Sequence, residues 1–573
     1  MKLSTKHLFL QGIFLFALIS FLNAQPTVNW AAHCGNSGSD KSLDVSVDQA
    51  GNLYTSGYYN NDGYFGSIYL NPGMSSKEAF VTRLDANGNF IWAVSGGGYF
   101  DDRTLGLCND PQGNVIATGT YWSSSTFGAY TLSGSADHIF VVKMDPNGKF
   151  LCATTGGSSG DDHGYDLVTD PQGNIFITGY LSNHYGPTPG TAIFGSLPTF
   201  TVYDSIAFVA RMSPTGVWQW VKTFGGTDVE RDNDIVLDSL GNVYVAGGFY
   251  GTKSFGSVSL TSSNNSRDIF VVKYDANGNF IWVTTTGDTL DDRANGITID
   301  HEQHLYITGE FRDHVIFGAD TLNNYGGPSG RDIFVGRMDL NGNWLWAKRA
   351  GSTNGGDAGR AITVNRDGNI FVTGQCKGLV KFGNDTMFHT GADSIQVFVA
   401  AIDSLGDWKW AMHCGSPLED RGYGIEVDST CKLYFCGYYD TPSAQFGSQS
   451  ITTYGRKDGF IARIDGGCFD YAVPDAIEDP VADECAPVLP GVFSFNGSGC
   501  ISVLDGWCVE SMKCVIFNSW GQIVYQTKDP LFCWNGTTTN GNVLATGMYY
   551  YVYEGTLESG KNIIRKGKIA VIR

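Results

Sequence analysis

The sequence predicts an all-β fold, a seven-bladed β-propeller of four-stranded blades followed by a small immunoglobulin-like β-sandwich, and three observations carry that expectation. The 573 residues include 75 glycines and 13% aromatic residues but only 16% charged residues, a composition suited to short strands and tight turns rather than to long charged helices. Related segments recur with a period of roughly 60 to 68 residues, the mark of an architecture whose units cover one another's faces. Within each unit apolar and polar residues alternate with a period of two, and no helical periodicity interrupts them.

Each unit opens on an aromatic residue, Trp30, Trp92, Trp220, Trp282, Trp346 or Trp410, with Cys152 in that place once. A glycine-rich stretch then leads to an acid: Asp40, Asp102, Asp162, Glu230, Asp292, Asp357 or Asp420. An alternating strand follows and ends at Asp48, Asp110, Asp170, Asp238, Asp300, Asn365 or Asp428, ahead of turns such as Gly51-Asn52 and Gly173-Asn174. The second strand is of the type Ile175-Phe176-Ile177-Thr178-Gly179. A Phe-Gly pair then appears in all seven units, at Phe65, Phe127, Phe194, Phe255, Phe317, Phe382 and Phe446. A third strand such as Ile269–Asp275, the turn Ala276-Asn277-Gly278-Asn279 and the strand Phe280-Ile281-Trp282 complete the unit, with Asp, Asn and Gly where a hairpin needs positive φ and local hydrogen bonds. Four strands per unit make one blade, and closing the ring removes long exposed edges. Either the strand around Trp30 or the copy at Phe469-Asp470-Tyr471 is expected to close it.

The units resemble a bacterial β-propeller repeat family with the core Asp-x-x-Gly-Asn-x-Tyr-x-Thr-Gly, read here at Asp238 to Gly247 with Ala246 in place of Thr. The resemblance spans about residues 27–473 and implies the propeller fold. Ahead of it, Lys2 and Lys6, the apolar stretch Leu8 to Leu22 and Leu22-Asn23-Ala24 have the order of a secretory signal cleaved after Ala24. The expected division is therefore a signal peptide at 1–24, the propeller at 25–473, a Pro-rich acidic linker at 474–490 and a C-terminal β-domain at 491–573.

That last segment resembles the gliding-motility-associated C-terminal domain, the type IX secretion sorting module of Bacteroidota. The resemblance is carried by Phe517-Asn518-Ser519-Trp520-Gly521-Gln522-Ile523-Val524-Tyr525, Trp534-Asn535-Gly536, Ala545 to Tyr551 and Lys566 to Arg573. The chain departs from the family at Phe495 and Ser498, where an acidic loop is lost, and at Ser519, where Arg is usual. The resemblance implies that the type IX secretion machinery reads this tail and exports the propeller, through the periplasm, to the outside or the outer cell surface.

A net charge of -20 argues against nucleic acid as a partner, and no stretch after the signal reads as a membrane span, so an integral membrane protein is not expected. Thirteen cysteines is an odd number. Six of them, Cys468, Cys485, Cys500, Cys508, Cys514 and Cys533, lie in or just before the tail, where about one to three disulfides are expected. Cys431 and Cys436 read as two positions of one strand facing opposite ways, hence as free thiols.

The segment Gly156-Gly157-Ser158-Ser159-Gly160 has the spacing of a nucleophile elbow but lacks the helix that such an elbow requires. The Asp-x-x-Gly-Asn turns lack the length and the terminal Glu of a calcium loop. The loop acids have basic neighbours Lys41, Arg103, Arg231, Arg293 and Arg421, with His163 and Ala358 in the other two units. Their periodic recurrence favours blade-junction pairing over a ligand-binding collar. His33 and His413 recur at equivalent places before Cys34 and Cys414.

No catalytic, cofactor-binding or metal-ligating residue is assigned, no cofactor is expected, and the chain is expected not to be an enzyme. The leading function is a binding or adhesion scaffold for a surface protein or glycan, its ligand taken by variable loops near Tyr185 to Thr201 and Asn323 to Ser329. The alternatives are a hydrolase or lyase acting at the channel and a structural part of the surface or gliding apparatus. The enzyme alternative requires acids, bases or metal ligands that converge at the channel mouth and break the sevenfold pattern, and the sequence shows no such set.

Overall fold

The computed structural model describes residues 26–469, save short stretches of which 184–188, 226–233 and 388–393 are the longest, and strand segments between 492 and 572. The expected signal peptide and linker lie outside the described residues. The chain divides into two compact units, residues 1–469 and 470–573. Apart from the short 3-10 turns Ser263–Asn265 and Gly327–Ser329, every described element is a β-strand.

In the first unit, Lys41–Val47, Leu53–Asn60, Lys77–Leu84 and Phe90–Gly98 pair antiparallel in chain order. The same order recurs in six further sets among the described residues. The first strand of each set packs beside the first strand of the next, and Arg421–Val427 packs beside Lys41–Val47, so the sets close on themselves as a propeller does. The last set takes its fourth strand from the other end of the chain. Thr27–Gly35 pairs antiparallel with Lys457–Asp465, Val28 opposite Ile464 and His33 opposite Phe460. Of the two expected closing segments, that around Trp30 does the work. Gly467–Phe469 instead fill the position of a turn: the Gly467 carbonyl accepts the Trp410 indole N–H at 2.7 Å, and the Phe469 N–H donates to Asn369 at 2.9 Å.

The recurring residues are explained by the junctions between sets. The fourth-strand tryptophan donates its indole N–H to a turn carbonyl of the following set, Trp92 to Pro146 at 3.0 Å and Trp346 to Ser404 at 2.9 Å. A third-strand arginine joins it on the same oxygen, Arg83 on Pro146 and Arg337 on Ser404. The phenylalanine of each Phe-Gly pair is buried and packs on a third-strand phenylalanine, with ring centroids 4.7 Å apart for Phe65 and Phe80 and 5.2 Å for Phe255 and Phe270. The glycine that follows opens a two-residue hairpin loop with positive φ, +62° at Gly66 and +60° at Gly318, a conformation that favours glycine there. That hairpin often pairs with the fourth strand of the preceding set, as Phe65 opposite Cys34 and Phe194 opposite Gly156.

The Asp-x-x-Gly-Asn segments are turns. Asp48 accepts the N–H groups of Ala50 and Asn52 at 2.9 and 2.8 Å and the Asn52 side-chain amide at 2.7 Å, and Asp110, Asp170 and Asp238 repeat the pattern. In the last set Cys431 takes the glycine place, with φ +64°, ahead of the strand Leu433–Asp440. Cys431 is therefore in the turn and not on the strand with Cys436, and the expectation of a free thiol fails: it is bonded to Cys468, 37 residues on, with Cα atoms 5.8 Å apart. Cys436 is a buried free thiol.

In the second unit, Val492–Ser494, Asn562–Ile572, Gly547–Leu557, Val509–Phe517 and Ile523–Thr527 form one sheet in that order, and Ile501–Ser502 pairs with Cys533–Trp534 in a second. The first pair is parallel, and Trp534 and Cys514 are buried. Cys514 is a free thiol; the side chains of Cys485, Cys500, Cys508 and Cys533 lie outside the described residues.

The Cys431–Cys468 bond ties the end of the first unit to the set that the N-terminal strand completes. Replacing Cys468 with serine is expected to lower stability by about 2–5 kcal/mol, read from the denaturant midpoint under oxidising conditions. Reduction of the unaltered chain should give the same drop, and an unchanged midpoint would contradict the tie.

Candidate functional site

The first strands of the sets line a channel. In six of them the pairing register slips at the third residue, between Ser42 and Asp44, Thr104 and Gly106, Gly164 and Asp166, Ala294 and Gly296, Gly359 and Ala361, and Gly422 and Gly424. Such a bulge re-aims side chains that strict alternation would send to opposite faces. Leu43, Leu105, Tyr165, Asn295, Arg360 and Tyr423, the residues passed over, all border a cavity of about 190 Å³. Asp44, Asp166 and Asp234 border it as well.

These three aspartates occupy one equivalent position, where four other sets carry Gly106, Gly296, Ala361 and Gly424. Asp44 accepts N–H bonds from Val45 at 2.8 Å and Leu107 at 2.7 Å, and Asp234 from Ile235 at 2.7 Å and Ile297 at 2.8 Å. Asp166 and Asp234 stand side by side, the Ile235 N–H donating to both, to Asp166 at 3.3 Å and to Asp234 at 2.7 Å, and two carboxyl groups so placed cannot both ionise cheaply. Burial, then the charge of Asp234, pushes the Asp166 carboxyl well above the ordinary range. Burial also raises Asp234, and it pushes Asp44 up to about 8 with help from the charges of Asp234 and Glu426. Glu426 is itself raised to about 7 by burial. Asn295 is nine-tenths buried; its amide donates to the Gly359 carbonyl at 2.7 Å, while its side-chain oxygen has no partner. The channel thus holds protonatable carboxyl groups beside an unused acceptor.

At one end stand the basic residues of the expected collar. Arg103 pairs with Asp101 at 3.0 Å, Arg293 with Glu310 at 3.0 Å and Arg421 with Glu419 at 2.6 Å. Lys41 differs: among the described residues no carboxylate lies within ion-pair distance of it. Its ammonium sits 4.3 Å from the Tyr438 ring and 5.7 Å from that of Tyr423. Burial, then the neighbouring Lys457 and Arg421 cations, lowers its pKa to about 8. The oxygens of the nearby Glu419 are taken by Arg421, Lys457 and the Tyr438 hydroxyl.

The loop acids belong to the junctions, as their periodicity predicts. Asp40 accepts from Asn36 and Asn60, each at 2.7 Å, and its own N–H donates to the Lys457 carbonyl. Asp292, Asp357 and Asp420 repeat this. Glu230 and Arg231 lie outside the described residues. The Ser158 hydroxyl is spent within its loop on Asp162 and the Ser182 carbonyl, each at 2.7 Å. His33 bonds Asp458 at 3.0 Å and His413 bonds Gln396 at 3.2 Å. Spacing alone missed the channel acids, because a bulge one residue long decides which side chains face the axis. The signal was nevertheless present, as an Asp in some units where others have Gly or Ala.

Residues 488–571 match the CHU_C family, a Type IX secretion signal domain. The domain marks the chain for the cell surface or the outside, and no helix of the described residues is long and apolar enough to cross a membrane. The chain is 23% identical over 545 residues to an uncharacterized WD repeat-containing protein of Acanthamoeba polyphaga mimivirus, a match covering 77% of this chain and 38% of that one. It therefore spans under two fifths of that relative's length. Similar solved structures include a puromycin hydrolase (12% identity, TM-score 0.39, 74% of this chain and 55% of that one) and an ulvan lyase (10% identity, TM-score 0.36, 71% and 92%). Both likenesses are loose and carry nothing about individual residues. The expected exclusion of enzymatic activity nevertheless falls. Its premise was that no acids converge on the channel out of the sevenfold pattern; Asp44, Asp166 and Asp234, which border the channel cavity in three sets and are absent from the other four, overturn it.

Burial also pushes Asp40, Asp102 and Asp420 up to about 7 and Asp162 and Asp292 up to about 8. Folded carboxyls raised in this way keep protons that the unfolded chain has released. Their stabilising contribution is full below the unfolded value and is lost as pH rises through 7 to 8. The thermal midpoint is expected to be higher at about pH 5 than at about pH 8.5. Asp166→Asn, which can donate to Asp234 without a proton to lose, should flatten the slope; a midpoint that climbs with pH would contradict both statements.

Proposed function

We propose that the chain is a seven-bladed propeller, exported as cargo of its C-terminal β-sandwich and displayed at the surface of a member of the Bacteroidota, where it binds an anionic ligand at the Lys41 end of its channel. The division into a signal peptide at 1–24, a propeller at 25–473, a linker at 474–490 and a sorting domain at 491–573 belongs to this proposal. So does an adhesive role towards a surface glycan or protein that bears carboxylate or sulfate groups. The observation that carries the reading is Lys41. An ammonium drawn out of water, surrounded by other cations and given tyrosine faces instead of a counter-ion, gains most from an anion arriving from outside.

A second reading is favoured by the placing of the Asp166 and Asp234 carboxyl groups side by side, both raised by burial. Paired carboxyl groups with separated affinities for protons are the equipment of acid–base chemistry, and a hydrolase or lyase acting on the same ligand would use them.

Binding to immobilised polygalacturonate tests the first reading. Lys41→Ala is expected to weaken retention by about tenfold or more, because a desolvated charge partner is lost, while added salt should weaken both forms. Equal retention of the two proteins would sink it. Asp234→Asn should leave that binding in place and abolish any cleavage of the polymer. Removal of residues 488–573 is expected to hold the propeller in the periplasm, as followed by cell fractionation.

A further inference from the structure

The second set differs from the others in one respect. Its second and third strands, Val115–Phe127 and Tyr130–Met144, run on into a single long hairpin, whereas the other sets end the second strand and build a separate small hairpin. Trp122, paired across the strands with Asp137, stands where the extension begins. The glycine-rich loop before Arg103 carries Tyr99 and Phe100, where the other units have no aromatic residue. Phe100 stacks on Trp122 with ring centroids 4.7 Å apart and planes 28° from parallel, and Tyr99 meets Phe100 edge-on at 5.4 Å. All three are exposed, Tyr99 by 70%, Trp122 by 40% and Phe100 by 39%. A depression beside them is bordered by Asp101, Arg103 and Asp137 as well.

From this arrangement we infer that Tyr99, Phe100 and Trp122 form a saccharide platform, on which a pyranose ring of a glycan chain lies while the rest of the chain runs past Arg103 to the channel mouth. The inference rests on the binding reading above and names the ligand class for it. Exposed clustered aromatics cost free energy in water unless something covers them. The cover must be flat and apolar on its faces, to match the rings, and rich in hydroxyl groups at its edge, to meet two carboxylates and a guanidinium. A pyranose has both properties in one unit. A nucleic-acid base would bring phosphates against the Asp101 and Asp137 carboxylates that border the depression, which like-charge repulsion disfavours. A mounting on paired strands also keeps the Trp122 ring in place before the ligand arrives.

The test titrates the whole secreted chain with cellohexaose, laminarihexaose and a polygalacturonate hexamer and reads the heat of binding. At least one probe is expected to bind, and Trp122→Ala to weaken it by about tenfold or more, the loss typical of a central aromatic contact. Tyr99→Ser, at a more exposed position, should cause a smaller loss, and it decides the matter if Trp122→Ala lowers the unfolding midpoint. Lys41→Ala should weaken only the uronate probe, so the platform and the channel mouth can fail separately. Binding of none of the three probes, or affinities unchanged in both aromatic variants, overturns the platform. So does Trp122-dependent retention on cell surfaces whose glycans have been destroyed by periodate, which would assign the patch to a protein partner.

Discussion

Each four-stranded set is apolar on both faces, and only its neighbours can cover them. Ile175–Leu181 is buried along its whole length, as a strand sandwiched between two layers must be. One cluster joins Tyr54, Ala79 and Val81 of the first set to Leu107, Ala117 and Phe140 of the second. A set left without a neighbour would expose such a face to water, so the array has to close on itself. The closing strand then comes from the far end of the chain, and the pairing of Thr27–Gly35 with Lys457–Asp465 spans nearly the whole first unit. Local turns cannot supply such a contact. It makes the chain's two distant segments one sheet, and the disulfide at Cys468 lies beside it.

The same constraint separates structural from functional acids. A need created by the junction appears at every junction: a loop acid is present in all seven units, and each of those among the described residues accepts amide hydrogens there. Asp44 and Asp234 also accept N–H bonds from the next first strand. Where Gly106, Gly296, Ala361 or Gly424 stands instead, however, the sets still pack side by side. A carboxylate that the junction can do without, gathered with two others in a confined space, is expensive to keep there, since burial raises all three. Its presence needs a reason other than the fold.

Much of the fold was legible in the sequence because its signals are local. The glycine of every Phe-Gly pair marks a positive-φ turn, the Asp-x-x-Gly-Asn segments mark another, and the alternation between them gives strands of the right length. The Trp that opens each unit was visible too, although its partner, a carbonyl about 54 to 58 residues onward, was not. What stayed hidden depends on register and on distant contact. A slip of one residue turns Asn295 and Arg360 towards the axis, and composition does not record slips. Cys431 appeared to belong to a strand because its place in the turn normally holds glycine, and its bond partner lies beyond the last repeat.

Charge shows most clearly why a whole-chain quantity misleads about a site. A net charge of -20 speaks to the field far from the protein, which salt screens within about 10 Å. At the channel end the count that matters is local. There burial first, and then the Lys457, Arg421 and Arg360 cations, lower the affinity of Lys41 for its own proton, while the nearby Glu419 is already shared between Arg421 and Lys457. Distant carboxylates cannot neutralise an ammonium that faces aromatic rings, so an acidic protein presents a basic mouth. For the anionic ligand proposed above, the approach to Lys41 runs past the Tyr438 and Tyr423 faces, and a carrier with a flat apolar face would gain contact there that a bare inorganic ion lacks.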